Sequence, residues 1–185
     1  MIEFPAHPFW DFALQVYRCP GVSDACLQVQ EGNHVDVNLL LFVSWLGASG
    51  RGRLSSDDVR RCMDTVGAWH ESVVKPLRGV RRILKVDLGA RRPDLTQALR
   101  REIQAREIDA EHIEQLLLVD ALPRAPQAGV SPAAAMTDAA CNALLYVTCL
   151  GYPVAAPTKA SLTTIVGAAC PELPLSQVRA AVEAA

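Results

Sequence analysis

Residues 37–46 constrain the fold more than any other part of the chain, because they form an almost uninterrupted apolar run. Only Asn38 and Ser44 break this run, and Asp36, directly before it, is suited to cap a helix. A helix that is apolar on all sides belongs at the centre of a helical bundle. A membrane span would need about 20 apolar residues in a row, so we expect a buried core helix and no association with a membrane.

Helical patterns recur along the rest of the chain. Half of the residues are hydrophobic, and few stretches alternate between apolar and polar side chains as half-buried strands do. A long helical unit begins at Ser55 or Ser56 and runs towards Lys85, and Pro76 within it predicts a kink or a break. We therefore predict an all-α fold.

The length of the chain suits one domain. Its 185 residues are enough for one well-packed core and few for two. Residues 123–132 are rich in Pro, Ala and Gly and predict an internal linker before an Ala-rich helical C-terminal part. We expect residues 1–185 to form a single helical domain, a compact bundle of about seven or eight helices.

The cysteines and the first residues indicate a reducing compartment. None of the six cysteines forms a Cys-x-x-Cys pair or has a histidine at zinc-finger spacing, which argues against a structural zinc site. The N-terminus lacks the basic start, the apolar core and the cleavage site of a signal peptide. We expect a cytoplasmic protein with reduced thiols.

No motif assigns a chemistry to the chain. It has no Gly-x-Ser-x-Gly element, no phosphate-binding glycine loop and no dinucleotide fingerprint. Glu111 and Glu114 share a helix face, as carboxylates do in di-iron bundles, but the paired Glu-x-x-His arrangement of those bundles is missing. We therefore predict no metal and no cofactor, favour a non-catalytic protein and leave catalysis open.

Charge is unevenly distributed along the chain. Residues 1–50 carry a net charge of −4, residues 51–104 carry +6 and residues 105–185 carry −4. The small overall charge of −2 therefore conceals a basic middle between acidic ends. Such segregation is the most informative functional signal in the sequence, because clustered cations are the usual means of binding an anionic partner.

The cations of the basic middle converge on one helix. Their spacing places most of them on one side of it, and the candidate anion-binding residues are Lys75, Arg78, Arg81, Arg82 and Lys85. One hypothesis is a non-catalytic interaction domain that binds an acidic protein, RNA or a ribonucleoprotein through this face. The alternative is a solvated face whose arginines pair with acidic helices packed nearby.

A second hypothesis concerns the polar minority of the apolar N-terminal half. A pocket for a small apolar or amphipathic ligand, with catalysis left open, would be lined by Asp36, Asn38, Trp45, Trp69 and His70. Asn38 lies in the most apolar helix, so its amide needs hydrogen-bond partners. In the alternative, these residues have structural roles only: Asn38 forms an interhelical hydrogen bond and Asp36 caps a helix. His70 is either a general base near Asp36 or a partly exposed bystander.

A third hypothesis is assembly into an oligomer. It requires an exposed apolar patch, which we expect on the Ala-rich and weakly charged C-terminal helices. The oligomeric state itself is left open.

The N-terminal part of the chain resembles a known family. The resemblance rests on the strings Phe9-Trp10-x-Phe12, Pro20-Gly21-Val22, Asp36-Val37-Asn38-Leu39-Leu40-Leu41-Phe42, Val73-Val74 and Pro76-Leu77-Arg78. These are similar to a family of uncharacterised proteobacterial proteins, described only as conserved hypothetical proteins or as a domain of unknown function. The resemblance covers roughly residues 9–86 and is weaker beyond them. It implies kinship and brings no activity, cofactor or catalytic residue.

Overall fold

Helices form the regular secondary structure of residues 2–86 and 92–185, which this computed structural model describes. In chain order they are α1 Pro8–Tyr17, α2 Val22–Asn33, α3 Val37–Ala48, α4 Ser56–Trp69, a π-helical turn His70–Val74, α5 Lys75–Ile83, α6 Pro93–Ala121, α7 Pro132–Cys149, α8 Ala156–Ala169 and α9 Leu175–Ala184. Since α4, the π-helical turn and α5 follow one another without a break, these elements make eight helical segments. The predicted all-α class is confirmed.

The central helix is α3, as its apolar sequence predicts. Every residue from Asn38 to Gly47 is buried. Gly47 lets α3 approach α7 closely, because a Cβ atom added there would lie 2.6 Å from the carbonyl carbon of Asp138 and closer still to the backbone of Ala139. Backbone therefore meets backbone where these two helices cross, and no larger residue fits at this point.

The break predicted at Pro76 takes the form of a wider helical turn just before it. Proline cannot donate a backbone hydrogen bond, and its ring crowds the carbonyl group four residues earlier. The π-helical turn His70–Val74 precedes Pro76, and the axis then continues as α5. His70 opens this turn and Val74 closes it, and both side chains are buried. Single π-helical turns of this kind often occur at functional sites.

The long helix α6 packs along the elements of the N-terminal half of the chain. It packs against α1, α3, α4, the π-helical turn and α5. Its first turns are exposed at Leu95 and Leu99, whereas Ala110 and Leu118 in its second half are buried. The second half therefore supplies the side chains that reach the interior, and two of its acidic residues, Glu107 and Glu111, face the basic helix α5.

Two further sequence-based expectations can be compared with the structure. Within the described part of the chain, no helix is both long enough and apolar enough to cross a membrane. All six cysteines are free thiols. Burial raises the pKa of the Cys26 and Cys170 thiols to about 12 and that of Cys62 to about 11, so these three are not activated nucleophiles.

The start of α4 gives a testable dependence of stability on pH. Ser55 and Asp58 form a capping box, and Arg124 donates to the Asp58 carboxylate at 2.7 Å. Burial opposes ionisation of Asp58, but its hydrogen bonds with Ser55 and its interaction with Arg124 outweigh that effect and lower its pKa. We expect Asp58→Asn to lower the free energy of unfolding near neutral pH by about 1 kcal/mol.

The difference between Asp58→Asn and the unchanged protein should disappear in acid. A lowered pKa in the folded state stabilises the protein above the unfolded-state value of about 3.9, and this contribution is lost as the pH falls through the folded-state pKa. Urea unfolding at a series of pH values measures it. Asp57→Asn is the control, because that side chain is 93% exposed and its one ion pair among the described residues is with Arg60. A difference that persists unchanged in acid would contradict this account.

Candidate functional site

Three ionisable side chains from three different elements meet inside the bundle. Asp36 is the residue that caps α3, His70 opens the π-helical turn, and Glu114 lies in α6. His70 Nδ1 is 2.9 Å from Glu114 Oε1 and 3.3 Å from Asp36 Oδ2. All three residues are buried, and Glu114 is fully so. We call this group the acid–histidine cluster.

The outer oxygen of each carboxylate is held by the amide groups of α3. Asp36 Oδ1 accepts the backbone N–H groups of Asn38 at 2.9 Å and Leu39 at 3.4 Å, as an N-cap does. Glu114 Oε2 accepts from the side-chain amide of Asn38 at 2.6 Å. These bonds leave the inner oxygens, Asp36 Oδ2 and Glu114 Oε1, facing the ring of His70.

The acid–histidine cluster has more acceptors than donors. Nδ1 of His70 carries at most one hydrogen and so cannot donate fully to both carboxylates. The shorter distance is the one to Glu114, and Asp36 Oδ2 is a buried atom without a hydrogen-bond partner in the described structure. A buried carboxylate oxygen without a partner is costly. The cluster is therefore suited to take up an additional proton or cation.

Burial and mutual repulsion change the acidity of the cluster. Burial, followed by the nearby charge of Glu114, raises the pKa of Asp36 to about 7. Burial alone would lower the pKa of His70, but its hydrogen bond with Glu114 and the charge of Asp36 reverse this and raise it. Asp36 and His70 thus hold their protons into the neutral range, where such groups can hold or transfer a proton.

Two amide side chains connect this cluster with the surface. Asn38 donates to Glu114 and accepts from Gln115 Nε2 at 2.9 Å. Asn38 and Gln115 both line a cleft on the outside of the bundle. Gln115 Oε1 is buried and has no hydrogen-bond partner in the part of the chain that the structure describes. Gln115 thus has an unused acceptor atom buried beside the cleft.

The cleft lies between α1, α2, α3, α5 and α6 and has a volume of about 380 Å³. One part of its lining is apolar and includes Ala13, Leu14, Tyr17, Leu27, Leu41 and Ile108. The other part is charged and includes Arg78, Arg81, Arg82, Glu107 and Glu111. An apolar wall opposite a charged wall is the usual form of a site for an amphipathic ligand.

Two of the three arginines in the cleft are engaged by carboxylates of α6. Arg78 pairs with Glu107 at 3.3 Å and with Glu111 at 2.7 Å, and Arg81 makes two hydrogen bonds to Glu107. Arg82 is exposed and forms no ion pair with any described residue. The charged wall thus carries three cations against two anions, and its unbalanced positive charge is at Arg82.

The predicted anion-binding residues fall into two groups. Arg78, Arg81 and Arg82 line the cleft. Lys75 does not line the cleft, and it forms an ion pair with Glu71 of the preceding turn. Lys85 is exposed just after α5 and has no ion pair within residues 2–86 and 92–185. The internal pairing named as the alternative therefore holds for Arg78 and Arg81 but not for Arg82.

The predicted pocket residues are also separated by the structure. Asn38 lines the cleft, and Asp36 and His70 lie in the cluster next to it. Trp45 instead packs against other rings of the core, with the guanidinium of Arg51 4.1 Å above its own ring. Trp69 donates its indole N–H to a backbone carbonyl of α6. His70 is buried next to Asp36, so the view of it as a partly exposed bystander is wrong.

Sequence reasoning placed Glu111 and Glu114 on one helix face but set them aside because no di-iron motif accompanies them, and it did not consider Glu107. Glu107, Glu111 and Glu114 recur at helical spacing on the side of α6 that also carries the buried Leu118. Three acids in line with a core residue are a signal that these carboxylates face inwards. Gln115 offered no comparable signal, because a glutamine next to such a face is common on exposed helices.

More of the exposed large hydrophobic residues lie at the cleft than on the C-terminal helices. Of twelve large hydrophobic side chains that are exposed in the described structure, only Tyr152 and Leu175 belong to the C-terminal part. Four of the others line the cleft, namely Leu14, Tyr17, Leu27 and Ile108. An apolar contact surface is therefore better placed at the cleft than on the C-terminal helices, and the oligomer hypothesis stays a prediction.

Comparison with known proteins assigns the family. A profile of the family described as "Protein of unknown function (DUF2390)" matches residues 8–118, which is more than half of the chain, so the chain belongs to this family. The resemblance seen in residues 9–86 is thereby confirmed. The matched region contains the acid–histidine cluster and every residue named above as lining the cleft. No curated protein and no solved structure matches the chain.

Proposed function

We propose that this member of the DUF2390 family binds a small amphipathic anion, such as a medium-chain carboxylate, in the cleft between α1, α2, α3, α5 and α6. The observation that carries the proposal is the position of Arg82, which lines the apolar cleft as an exposed cation without an ion pair among the described residues. Binding would place the carboxylate on this guanidinium and the hydrocarbon chain along the apolar wall.

The apolar wall provides the binding energy for the hydrocarbon part. Leu14 and Leu27 are 36% and 38% exposed, and Tyr17 and Ile108 are 44% and 45% exposed. Contact of these apolar side chains with water is unfavourable. Covering them contributes about 25 cal/mol of binding free energy for each Å² of apolar surface removed from water. A volume of about 380 Å³ lies at the lower end of the range of ligand sites, which favours a small molecule.

The charged wall selects an anion that carries a single charged group. Glu107 and Glu111 neutralise Arg78 and Arg81, so one positive charge is left for the ligand. A polyanion would meet the two carboxylates as well as the arginines, and their repulsion would oppose it. The charge balance of the cleft therefore supports a ligand with one carboxylate over a nucleic acid backbone.

A second candidate is the binding of an acidic protein or RNA through the exposed end of α5. The observation in its favour is that Arg82 and Lys85 are both exposed and without ion pairs among the described residues. Such binding depends on counterion release and weakens steeply with salt. Capture of a polyanion that is lost when both residues become glutamate would favour this candidate, provided that decanoate does not compete.

Calorimetric titration with decanoate tests the proposed ligand. We expect saturable binding of one decanoate per chain, and binding at least about tenfold weaker for decanol, which lacks the charge but keeps the chain. Arg82→Gln should weaken decanoate binding by about tenfold, which corresponds to the loss of one charge-assisted hydrogen bond. Leu27→Asp should abolish it, because a carboxylate would then lie in the apolar wall.

Two control variants repeat these changes outside the cleft. Arg101→Gln and Leu95→Asp alter exposed residues of α6 that do not line the cleft. Both should bind decanoate as the unchanged protein does. Equal binding of decanoate and decanol, or equal loss of binding in the cleft variants and their controls, would refute the proposal.

A further inference from the structure

The acid–histidine cluster has the geometry of a metal site as well as that of a proton site. Donor atoms that bind one ion at about 2.0–2.2 Å lie about 2.9–3.5 Å apart at tetrahedral or octahedral angles. The two distances from His70 Nδ1 to the inner oxygens of Glu114 and Asp36 are 2.9 Å and 3.3 Å. One ligand atom from each residue lies within 4.8 Å of the other two.

One buried carboxylate oxygen of the acid–histidine cluster lacks a hydrogen-bond partner, which indicates a site for a bound cation. Asp36 is 92% buried, as its exposed fraction is 8%, and its Oδ2 atom has no hydrogen-bond partner among the described residues. This atom faces His70 Nδ1, whose single hydrogen is better placed for Glu114. A cation between the three donor atoms would satisfy all of them together, which one hydrogen cannot do.

We propose that Asp36, His70 and Glu114 bind a divalent first-row transition metal ion. Two carboxylates and one neutral imidazole are ligands that Zn²⁺, Mn²⁺ and Fe²⁺ accept. Two negative charges also balance a divalent cation, so the buried site becomes neutral. Without a metal, the site reaches the same neutrality only by holding two protons, one on the imidazole and one on a carboxylate.

The surroundings of the three ligands are those of a prepared metal site. Metal-binding carboxylates are normally held by hydrogen bonds to their outer oxygens. Here the backbone amides of Asn38 and Leu39 hold Asp36 Oδ1, and the side chain of Asn38 holds Glu114 Oε2. The ligands come from rigid helical elements, so their positions are fixed before a metal arrives. Three protein ligands leave at least one coordination position for water or another donor.

The site does not depend on the proposed ligand of the cleft. It uses different residues, and Asn38 alone takes part in both environments. Metal binding can therefore be measured without decanoate, and decanoate binding can be measured after treatment with a chelator. Failure of one proposal leaves the other standing.

Titration of the full chain with Co²⁺ after removal of bound metal by a chelator tests the metal site. We expect one equivalent of Co²⁺ to bind, with a visible absorption change and a rise in the melting temperature. His70→Asn, Asp36→Asn and Glu114→Gln should each weaken binding by more than about tenfold, because loss of even an outer-shell partner costs about 10–100-fold. Asn is a good helix cap, so Asp36→Asn should keep α3 intact.

His34→Asn is the matched control for the histidine variant. His34 is exposed and has a positive φ of 52°, a conformation that asparagine tolerates. This variant should bind Co²⁺ as the unchanged protein does. The proposal is overturned if the unchanged protein binds no Co²⁺, or if binding survives in all three ligand variants. Loss of binding in His34→Asn would also overturn it, because the metal would then sit on a surface histidine.

Discussion

Replacing Gly47 by alanine is expected to lower the free energy of unfolding by about 3 kcal/mol or more. Helix propensity alone predicts the opposite, a gain of about 1 kcal/mol, because alanine is the better helix former. However, the added methyl group would overlap the backbone of Ala139 and lie 2.6 Å from the carbonyl carbon of Asp138. Backbone atoms cannot turn away as a side chain can, so α3 and α7 would have to separate.

Gly67→Ala is the control for this prediction. Gly67 also lies inside a helix, α4, and a Cβ atom there would meet nothing within 4 Å. We expect this variant to be more stable by about 0.5–1 kcal/mol. Denaturant unfolding of both variants gives the two changes directly. Equal stabilisation by the two substitutions would show that α3 and α7 are not in backbone contact at Gly47.

Replacing Glu114 by alanine should be the other severe change, with a loss of about 3–5 kcal/mol in chelator-treated protein. Glu114 is fully buried, and its two oxygens serve His70 and Asn38. Alanine would leave the amide of Asn38 without this acceptor inside the bundle and would also create a cavity. The Nδ1–H of His70 then has Asp36 Oδ2 as its remaining acceptor, 3.3 Å away, so the lost amide bond and the cavity account for the expected destabilisation.

Two comparisons separate the loss of charge from the loss of volume at this position. Glu114→Gln keeps the shape and one acceptor for Asn38, so it should cost less than Glu114→Ala. Glu102→Ala removes an exposed carboxylate of the same helix and should change stability by less than about 0.5 kcal/mol. Denaturant unfolding followed by circular dichroism measures all three. A loss at Glu114 no greater than that at Glu102 would mean that the cluster is not buried in solution.

The central position of α3 could be predicted from sequence, because its cause is local. Eight of the ten residues from 37 to 46 are apolar, so this segment has to be buried. Asp36 marks where the helix starts. The same reasoning placed the start of α4 at Ser55 or Ser56, and Ser55 is its cap. Capping and periodicity are properties of short windows of sequence, and the structure follows them.

The acid–histidine cluster could not be assembled from sequence, because its members are distant in the chain. Glu114 lies 76 residues from its partner Asn38 and 44 residues from His70. Each of these polar residues could be considered as a candidate by itself. Only the packing of α6 against α3 and the π-helical turn brings them together. The need of Asn38 for a partner followed from solvation, whereas the identity of that partner did not.

The ion pairs of the basic helix α5 could also be predicted only in part from the sequence. Composition revealed the cations of residues 51–104 and allowed two outcomes, an exposed binding face or internal pairs. The structure gives a mixture, in which Glu107 and Glu111 engage Arg78 and Arg81 but leave Arg82 exposed. Which arginine is left over depends on the rotation of α5 against α6, and charge counting carries no information on that angle.

Arginine Nε–H resonances in ¹⁵N-labelled protein, recorded as decanoate is added, test the binding cleft most directly. The account predicts a saturable shift of the Arg82 resonance together with shifts of the methyl groups of Leu14 and Leu27, while Arg101 stays unchanged. A cleft that binds no amphipathic anion would show either no saturable shift or shifts confined to residues away from α1, α2 and α5.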